Sequence, residues 1–358
     1  MTEVQDRLPA EGDNSLASIR AMIPRSCFER SNKHGYFYSA RDIVIYVALL
    51  AAIAVVDQWW LLVPLELLAG LVVSGLFVLG HDAAHGALFE SKKLNSRFAR
   101  LLFLPSYHIY EAWVFGHNRV HHGFTTRQGM DFVWHPVTPE EYAEMSSLAK
   151  LRHKLEWSWL GSGAYYLREV WWNKMVRFDP PAKHAEAIKF DNRLIASWGV
   201  VSIGGAVALG WFMDGTVLAA IVMPIKLFVV PFLLFIGSIG WTVYVHHVSP
   251  DMKWWTSKEW NRRAAQTEST TILRVPWFLN FFYHNIFVHV PHHVDMRIPF
   301  YRLPEAADAI TDALGDTVMD KKLQVSDYFA TTKACKLYDF DAGEWLTYKE
   351  GQKAVSPA

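Results

Sequence analysis

Residues 61–85 read LLVPLELLAGLVVSGLFVLGHDAAH. From 61 to 80 the only charged side chain is Glu66, and ~20 mostly apolar residues are what a helix needs to cross about 30 Å of hydrocarbon. The run ends not on a turn but on His81 and His85, four apart. If the helix continues past the membrane, both imidazoles fall on one face and can converge on one metal ion. Asp82 between them can orient a ligand from behind.

Upstream, IVIYVALLAAIAVV (43–56) is uncharged and passes through Asp57 and Gln58 into Trp59 and Trp60, aromatics that favour the membrane interface. Residues 43–80 therefore read as a tight transmembrane hairpin, with Glu66 near the far interface. A second hairpin is expected over 194–245. LIASWGVVSIGGAVALGWF (194–212) carries no charge, and TVLAAIVMPIKLFVVPFLLFIGSIGWTVYV (216–245) carries only Lys226. Lys226 is expected to snorkel to the outer interface, and Pro224 and Pro231 to kink the helix. The fold expected is all-α and integral to the membrane. Four transmembrane helices in two hairpins carry a cytoplasmic helical cap that bears the histidines.

Composition agrees with this reading. The 358 residues are 51% hydrophobic and only 20% charged, more apolar than a soluble domain needs. Lys plus Arg and Asp plus Glu are both 35, which gives no reason to expect a nucleic-acid partner. The leader 1–42 holds six Lys or Arg, the loop 81–193 fifteen and the segment 246–358 thirteen, whereas the turns at 57–60 and 213–215 hold none. The positive-inside rule then makes both termini and the long loop cytoplasmic. MTEVQDRLPAEGDN at the start has no basic region leading into an apolar one, so it reads as a solvated leader and not a signal peptide. RFDPPAKHAEAIKFDNR (177–193) reads as an interfacial, partly helical connector.

Cys27 and Cys335 are too few for a thiolate site or a disulfide framework. Histidines are abundant instead, sixteen in all. HNRVHH presents His117, His121 and His122, whose spacing on a helix puts three imidazoles on nearly one side. HVPHH presents His289, His292 and His293, and His246 and His247 close the fourth span. All ten of these fall on one membrane face, whereas His34, His108, His135, His153 and His184 read as ordinary surface or core residues. Imidazole suits zinc, copper, iron and nickel. A zinc site closes with about four ligands, so eight or more imply two metal ions. Such a site beside an apolar domain suits dioxygen activation for attack on unactivated C–H bonds, work that side chains delegate to a redox metal. Iron is the preferred assignment.

The stretches IRAMIPRSCFER, HDAAHG, HNRVHH, YVHHVSPD, Glu259–Trp260 and YHNIFVHVPHHVDMRIPFY together resemble the membrane fatty-acid desaturases, and within them the delta-12 acyl subgroup. The resemblance covers most of the chain. It implies a non-haem di-iron centre held by His81, His85, His117, His121, His122, His289, His292 and His293. It also implies a further histidine ligand before the last box, carried here to His247, which precedes Pro250. His246 and His284 remain candidates for an outer layer, with Asp82. The second box has three intervening residues where delta-12 enzymes usually have two, and VDMRIPFY departs from the usual sequence. Related outcomes therefore stay open: hydroxylation, acetylenic bonds, decarboxylation to terminal alkenes and, from the first box, carotenoid ketolation.

The resemblance implies an O2-dependent fatty acyl desaturase that removes hydrogen from two adjacent methylenes. An apolar tunnel would select the bond, walled by the cytosolic ends of the spans and by PWFLNFFY (276–283) unless that stretch is an interfacial helix. Neither an HPGG haem motif nor a ferredoxin-type cysteine set is present, so electrons are expected from a separate ferredoxin or cytochrome b5 type donor. Outside this class stands a zinc-binding membrane receptor or transporter, which would need ionisable groups along a path inside the bilayer.

Overall fold

The computed structural model describes residues 15–355. The leader reading of residues 1–14 lies outside the described residues. Among those described, four helices are long and apolar enough to cross a membrane: α1 (Asn32–Val55), α2 (Trp59–Ala84), α3 (Ala182–Asp214) and α4 (Val217–His247).

Two of them start well before the expected boundaries. α1 takes in residues 32–42, assigned above to the leader, because the Ser31 side chain accepts the His34 N–H at 3.4 Å and caps a first turn there. α3 absorbs the connector from Ala182 onward and runs unbroken for 33 residues to Gly215, whose φ of 72° ends the helix in the left-handed region. α2 reaches Ala84, with His85 as its helical cap residue, so the helix carries His81 and His85 as expected.

α1 and α2 pack on each other across a three-residue link, and α2 also packs along α4. From Ala69 to Ala84 α2 is almost wholly buried, whereas α3 and α4 leave Val200, Val201, Phe212 and Leu218 exposed. Such bare apolar faces belong against lipid rather than water. In α4 the stretch Ile225–Val229 is π-helical, bracketed by Pro224 and Pro231. The prolines thus interrupt the α-helical bonding where kinks were expected. Lys226 lies there, itself buried, and its Nζ donates to the Val56 carbonyl at 2.9 Å and approaches Asp57 at 3.4 Å. The charge reaches the polar link between α1 and α2, as snorkelling requires.

The remaining chain packs over the histidine ends of these helices. It is mostly helical, not all-α. β1 (Thr271–Arg274) pairs parallel with β2 (Met319–Lys322), and β3 (Leu337–Asp339) pairs antiparallel with β4 (Glu344–Leu346). Thr271, Ile272 and Leu273 are buried, and their backbone groups need partners that no helix supplies at that point.

Candidate metal centre

Three short pieces of chain bring the histidines to the end of α2. His117 and His121 lie in a π-helical stretch, Val114–His121, with His122 directly after it. A turn closed at i+5 brings His122 back over His117, and their Nε2 atoms are 3.2 Å apart. The helix His289–Val294 carries the third box, and the last turn of α4 carries His246 and His247.

Two groups of converging ring nitrogens result, each with all atoms within 4.8 Å: His81, His85, His117 and His292 in one, His121, His247 and His293 in the other. His122 stands between them, its Nε2 3.1 Å from that of His292 and its ring 4.4 Å from that of His293. The His289 ring lies 4.7 Å from His293 and 5.0 Å from His292. All nine histidines singled out as ligands are therefore packed together. His246 belongs to neither group and stacks on His289 at 3.9 Å.

The second group is locked from outside. His121 Nδ1–H donates to Asp131 (3.1 Å), His293 Nδ1–H to Gln266 Oε1 (2.6 Å) and His247 Nδ1–H to the Ser269 carbonyl (3.2 Å). Each acceptor can only receive, so all three rings keep Nε2 free to face a metal. Gln266 is held in turn, donating to the His122 carbonyl and accepting from Thr125 Oγ1. In the first group, among the described residues, His81, His85 and His292 leave Nδ1 without a hydrogen-bond partner, and His85 leaves both nitrogens bare. Asp82 lies 3.5 Å from His81 Nδ1 while accepting the Phe300 N–H at 2.7 Å. His284 stands apart, its Nε2 2.7 Å from Asp42 of α1 and its ring against Phe300.

Burial first, and the surrounding histidines second, hold His85, His117, His122, His289, His292 and His293 well below the ordinary imidazole range. Neutral imidazoles with bare buried nitrogens are costly to fold and are the form a metal binds. The donor set therefore fits metal, and its all-nitrogen character suits iron among others.

A cavity of ≈ 60 Å³ lies against the histidines, lined from the ends of α2 and α4 and from the chain around them. His81, His117, His121, His246, His247 and His289 face it, and Phe77, Val78, Trp113, Met175, Ile239 and Val243 supply apolar wall. His108, expected to be ordinary, lines it too, fixed between the Ser106 carbonyl (2.8 Å) and the Tyr166 hydroxyl (3.0 Å). The expected wall PWFLNFFY is not part of the cavity. Trp277 is 80% exposed and Phe278 51%, so this segment reads as the interfacial helix. It packs against α2, with Tyr283 buried and bonded to Ser238 while Trp277 and Phe278 stay exposed.

Asp131, Gln266 and the Ser269 carbonyl escaped the sequence reading. None has a fixed spacing from a histidine, and GMDFVWHP around Asp131 carries no metal signature.

Membrane-length helices thus stand beside two buried all-imidazole groups placed to hold metal. The fatty acid desaturase family model matches residues 57–320, and the chain belongs to that family. It is 28% identical to an sn-1 oleoyl-lipid 12-desaturase of Picosynechococcus sp., with 94% of each chain covered. It is 28% identical to an sn-1 acyl-lipid omega-3 desaturase (ferredoxin) of Nostoc sp., covering 84% of this chain and 82% of that one. With an omega-3 fatty acid desaturase of Glycine max chloroplasts it shares 30% identity over 86% of this chain and 67% of that one.

Proposed function

We propose that this protein is an O2-dependent acyl-lipid desaturase of the 12- or omega-3 type, with two irons divided between the two histidine groups and electrons supplied by a ferredoxin type donor. The observation that carries this reading is the cavity. Its wall is mostly apolar and it meets members of both groups. A hydrocarbon chain suits a mostly apolar wall that meets two groups of imidazoles.

His81, His85, His117 and His292 would hold one iron and His121, His247 and His293 the other, with His122 and His289 between them. Bound there, the irons supply the dioxygen activation and hydrogen abstraction that side chains cannot. The protein's own contribution is positional. Asp131, Gln266 and the Ser269 carbonyl fix the imidazole tautomers, Phe77, Trp113 and Ile239 keep the chain straight and dry, and burial excludes bulk water from the reacting carbons.

In the same reading α1 with α2 and α3 with α4 form two transmembrane hairpins, and both termini and the metal centre are cytoplasmic. Residues 43–80 and 194–245 are the membrane parts of a single desaturase unit. A cytochrome b5 type donor is the alternative source of electrons.

Lipid profiling of a host expressing the wild type beside His121→Ala tests the function. New unsaturated acyl chains that vanish in the variant are expected, and the position of the new double bond separates the 12 from the omega-3 outcome. Oxygenated or chain-shortened products in their place would transfer the same centre to hydroxylation or decarboxylation.

A further inference from the structure

Asp42 and His284 lie 242 positions apart in the chain and are both buried. His284 Nε2–H donates to Asp42 Oδ2 at 2.7 Å, a direction fixed because the carboxylate only accepts. The other carboxylate oxygen takes Arg41 Nε at 2.7 Å, and the same guanidinium donates to the Phe281 carbonyl at 2.8 Å. Arg41 and Asp42 of α1 thus clasp the chain between the interfacial helix and the third histidine box.

The clasped turn is strained. His284 and Asn285 take φ of 46° and 56°, left-handed values uncommon outside glycine, and two such residues in succession are rarer still. A turn of this kind persists where its surroundings over-determine it. Here they leave no room: a Cβ added to Gly75 of α2 would come within 2.7 Å of the Phe282 carbonyl and 3.0 Å of Asp42 Oδ2. The clasp is therefore seated directly on the helix that carries His81, six positions before it.

From the turn the hold passes to Phe300. Asn285 Nδ2–H donates to the Phe300 carbonyl at 3.2 Å, and the Phe300 ring packs against those of His284 (4.9 Å) and Tyr38 (5.0 Å). Phe300, so fixed, gives its N–H to Asp82 Oδ2 at 2.7 Å, which leaves Asp82 Oδ1 3.5 Å from His81 Nδ1. That nitrogen is buried and has no hydrogen-bond partner among the described residues. An imidazole that binds metal through Nε2 needs an acceptor on its far side, and the Asp82 carboxylate stands there. The second group is held differently, by Asp131, Gln266 and the Ser269 carbonyl.

We infer that Asp42 and His284 are positioning residues for the first metal group. The clasp fixes Phe300, Phe300 fixes the Asp82 carboxylate, and the carboxylate orients His81. The inference rests on the two-iron division of the desaturase reading and accounts for His284, a histidine of neither group.

Iron retained per chain by the purified full-length protein under chelator challenge tests this without turnover, with the melting temperature as the control for folding. His284→Asn tolerates the left-handed backbone but is too short to reach Asp42, whereas His284→Gln keeps an N–H donor at comparable reach. In His284→Asn the first iron should be held about 10- to 100-fold more weakly and the second as in the wild type, so that retention falls toward one iron of the two. A paramagnetic resonance signal of isolated ferric iron should appear as the pair is broken. His284→Gln should restore most of the hold. Loss of both irons in parallel, full retention of both, or equal behaviour of the two variants would overturn the inference. Asn285→Gly gives a second reading that does not depend on a buried substitution, since glycine takes the same φ without strain and loses only the bond to Phe300. The first iron should then be held about threefold more weakly, the worth of roughly one hydrogen bond, and an undiminished hold would refute the path through Phe300. Selective loss of the first iron from a protein that makes no double bond in cells would sink the desaturase reading alone.

Discussion

His121 Nδ1 lies 3.1 Å from both carboxylate oxygens of Asp131, and the same carboxylate accepts the backbone N–H groups of Thr126 and Val133. Asp131 thus ties the orientation of one imidazole to the loop that follows the second box. Asp131→Asn keeps the shape and removes the charge-assisted acceptor. The expected result is about a 10- to 100-fold weaker hold on metal, read as iron content after challenge with a chelator. Undiminished iron would mean that the ring is positioned by its packing alone.

Val243 lines the cavity one turn before His247. Val243→Phe adds bulk where the acyl chain is placed, at a cost to stability of about 1–3 kcal/mol. Desaturated product should fall at least about tenfold with bound iron at the wild-type level. Loss of iron in parallel would show that the substitution disturbs the histidines and not the channel.

Asp191, fully buried on the extension of α3 that precedes its expected span, pairs with Arg100 Nε at 2.6 Å and accepts the Glu111 N–H at 3.0 Å. It joins α3 to the helix Lys92–Phe103 and to the segment leading into the second histidine box. Asp191→Ala removes the main carboxylate partner of the Arg100 guanidinium and the acceptor of the Glu111 N–H, which should cost about 1–3 kcal/mol. A lowered melting temperature in detergent checks this. An unshifted one would show that Arg100 finds Glu111, 3.4 Å away, an adequate substitute.

His153 supplies a pH signature away from the metal. Burial first, then Lys336, Arg152 and Arg168, push its imidazole down to about 4. The folded state therefore binds fewer protons than the unfolded chain between about pH 4 and 6.5. The neutral ring's contribution is fully present above about 6.5 and is lost as pH falls toward 4. Melting curves of wild type and His153→Gln between about pH 7.5 and 5 should show the wild type losing stability more steeply. Parallel slopes would place the titration elsewhere.

The sequence by itself determined the four apolar helices, because apolar length is a local property, and the ten clustered histidines, because helical spacing is local too. Gly215 and the prolines around Lys226 also acted locally, ending or loosening helices where their backbones demand it. Only the tertiary structure decided how the histidines divide. HNRVHH reads as one box, yet His117 joins His81, His85 and His292 while His121 joins His247 and His293. That division depends on a π-helical turn and on packing between segments as far apart in the chain as His81 and His292, which no spacing encodes. Asp131, Gln266 and the Ser269 carbonyl became visible for the same reason, since an orienting hydrogen bond needs only proximity. Asp42, within α1, and His284, just after the interfacial helix, read in sequence as unrelated, and their clasp is a fact of the folded chain. Local chemistry grouped the histidines, and long-range packing chose their partners.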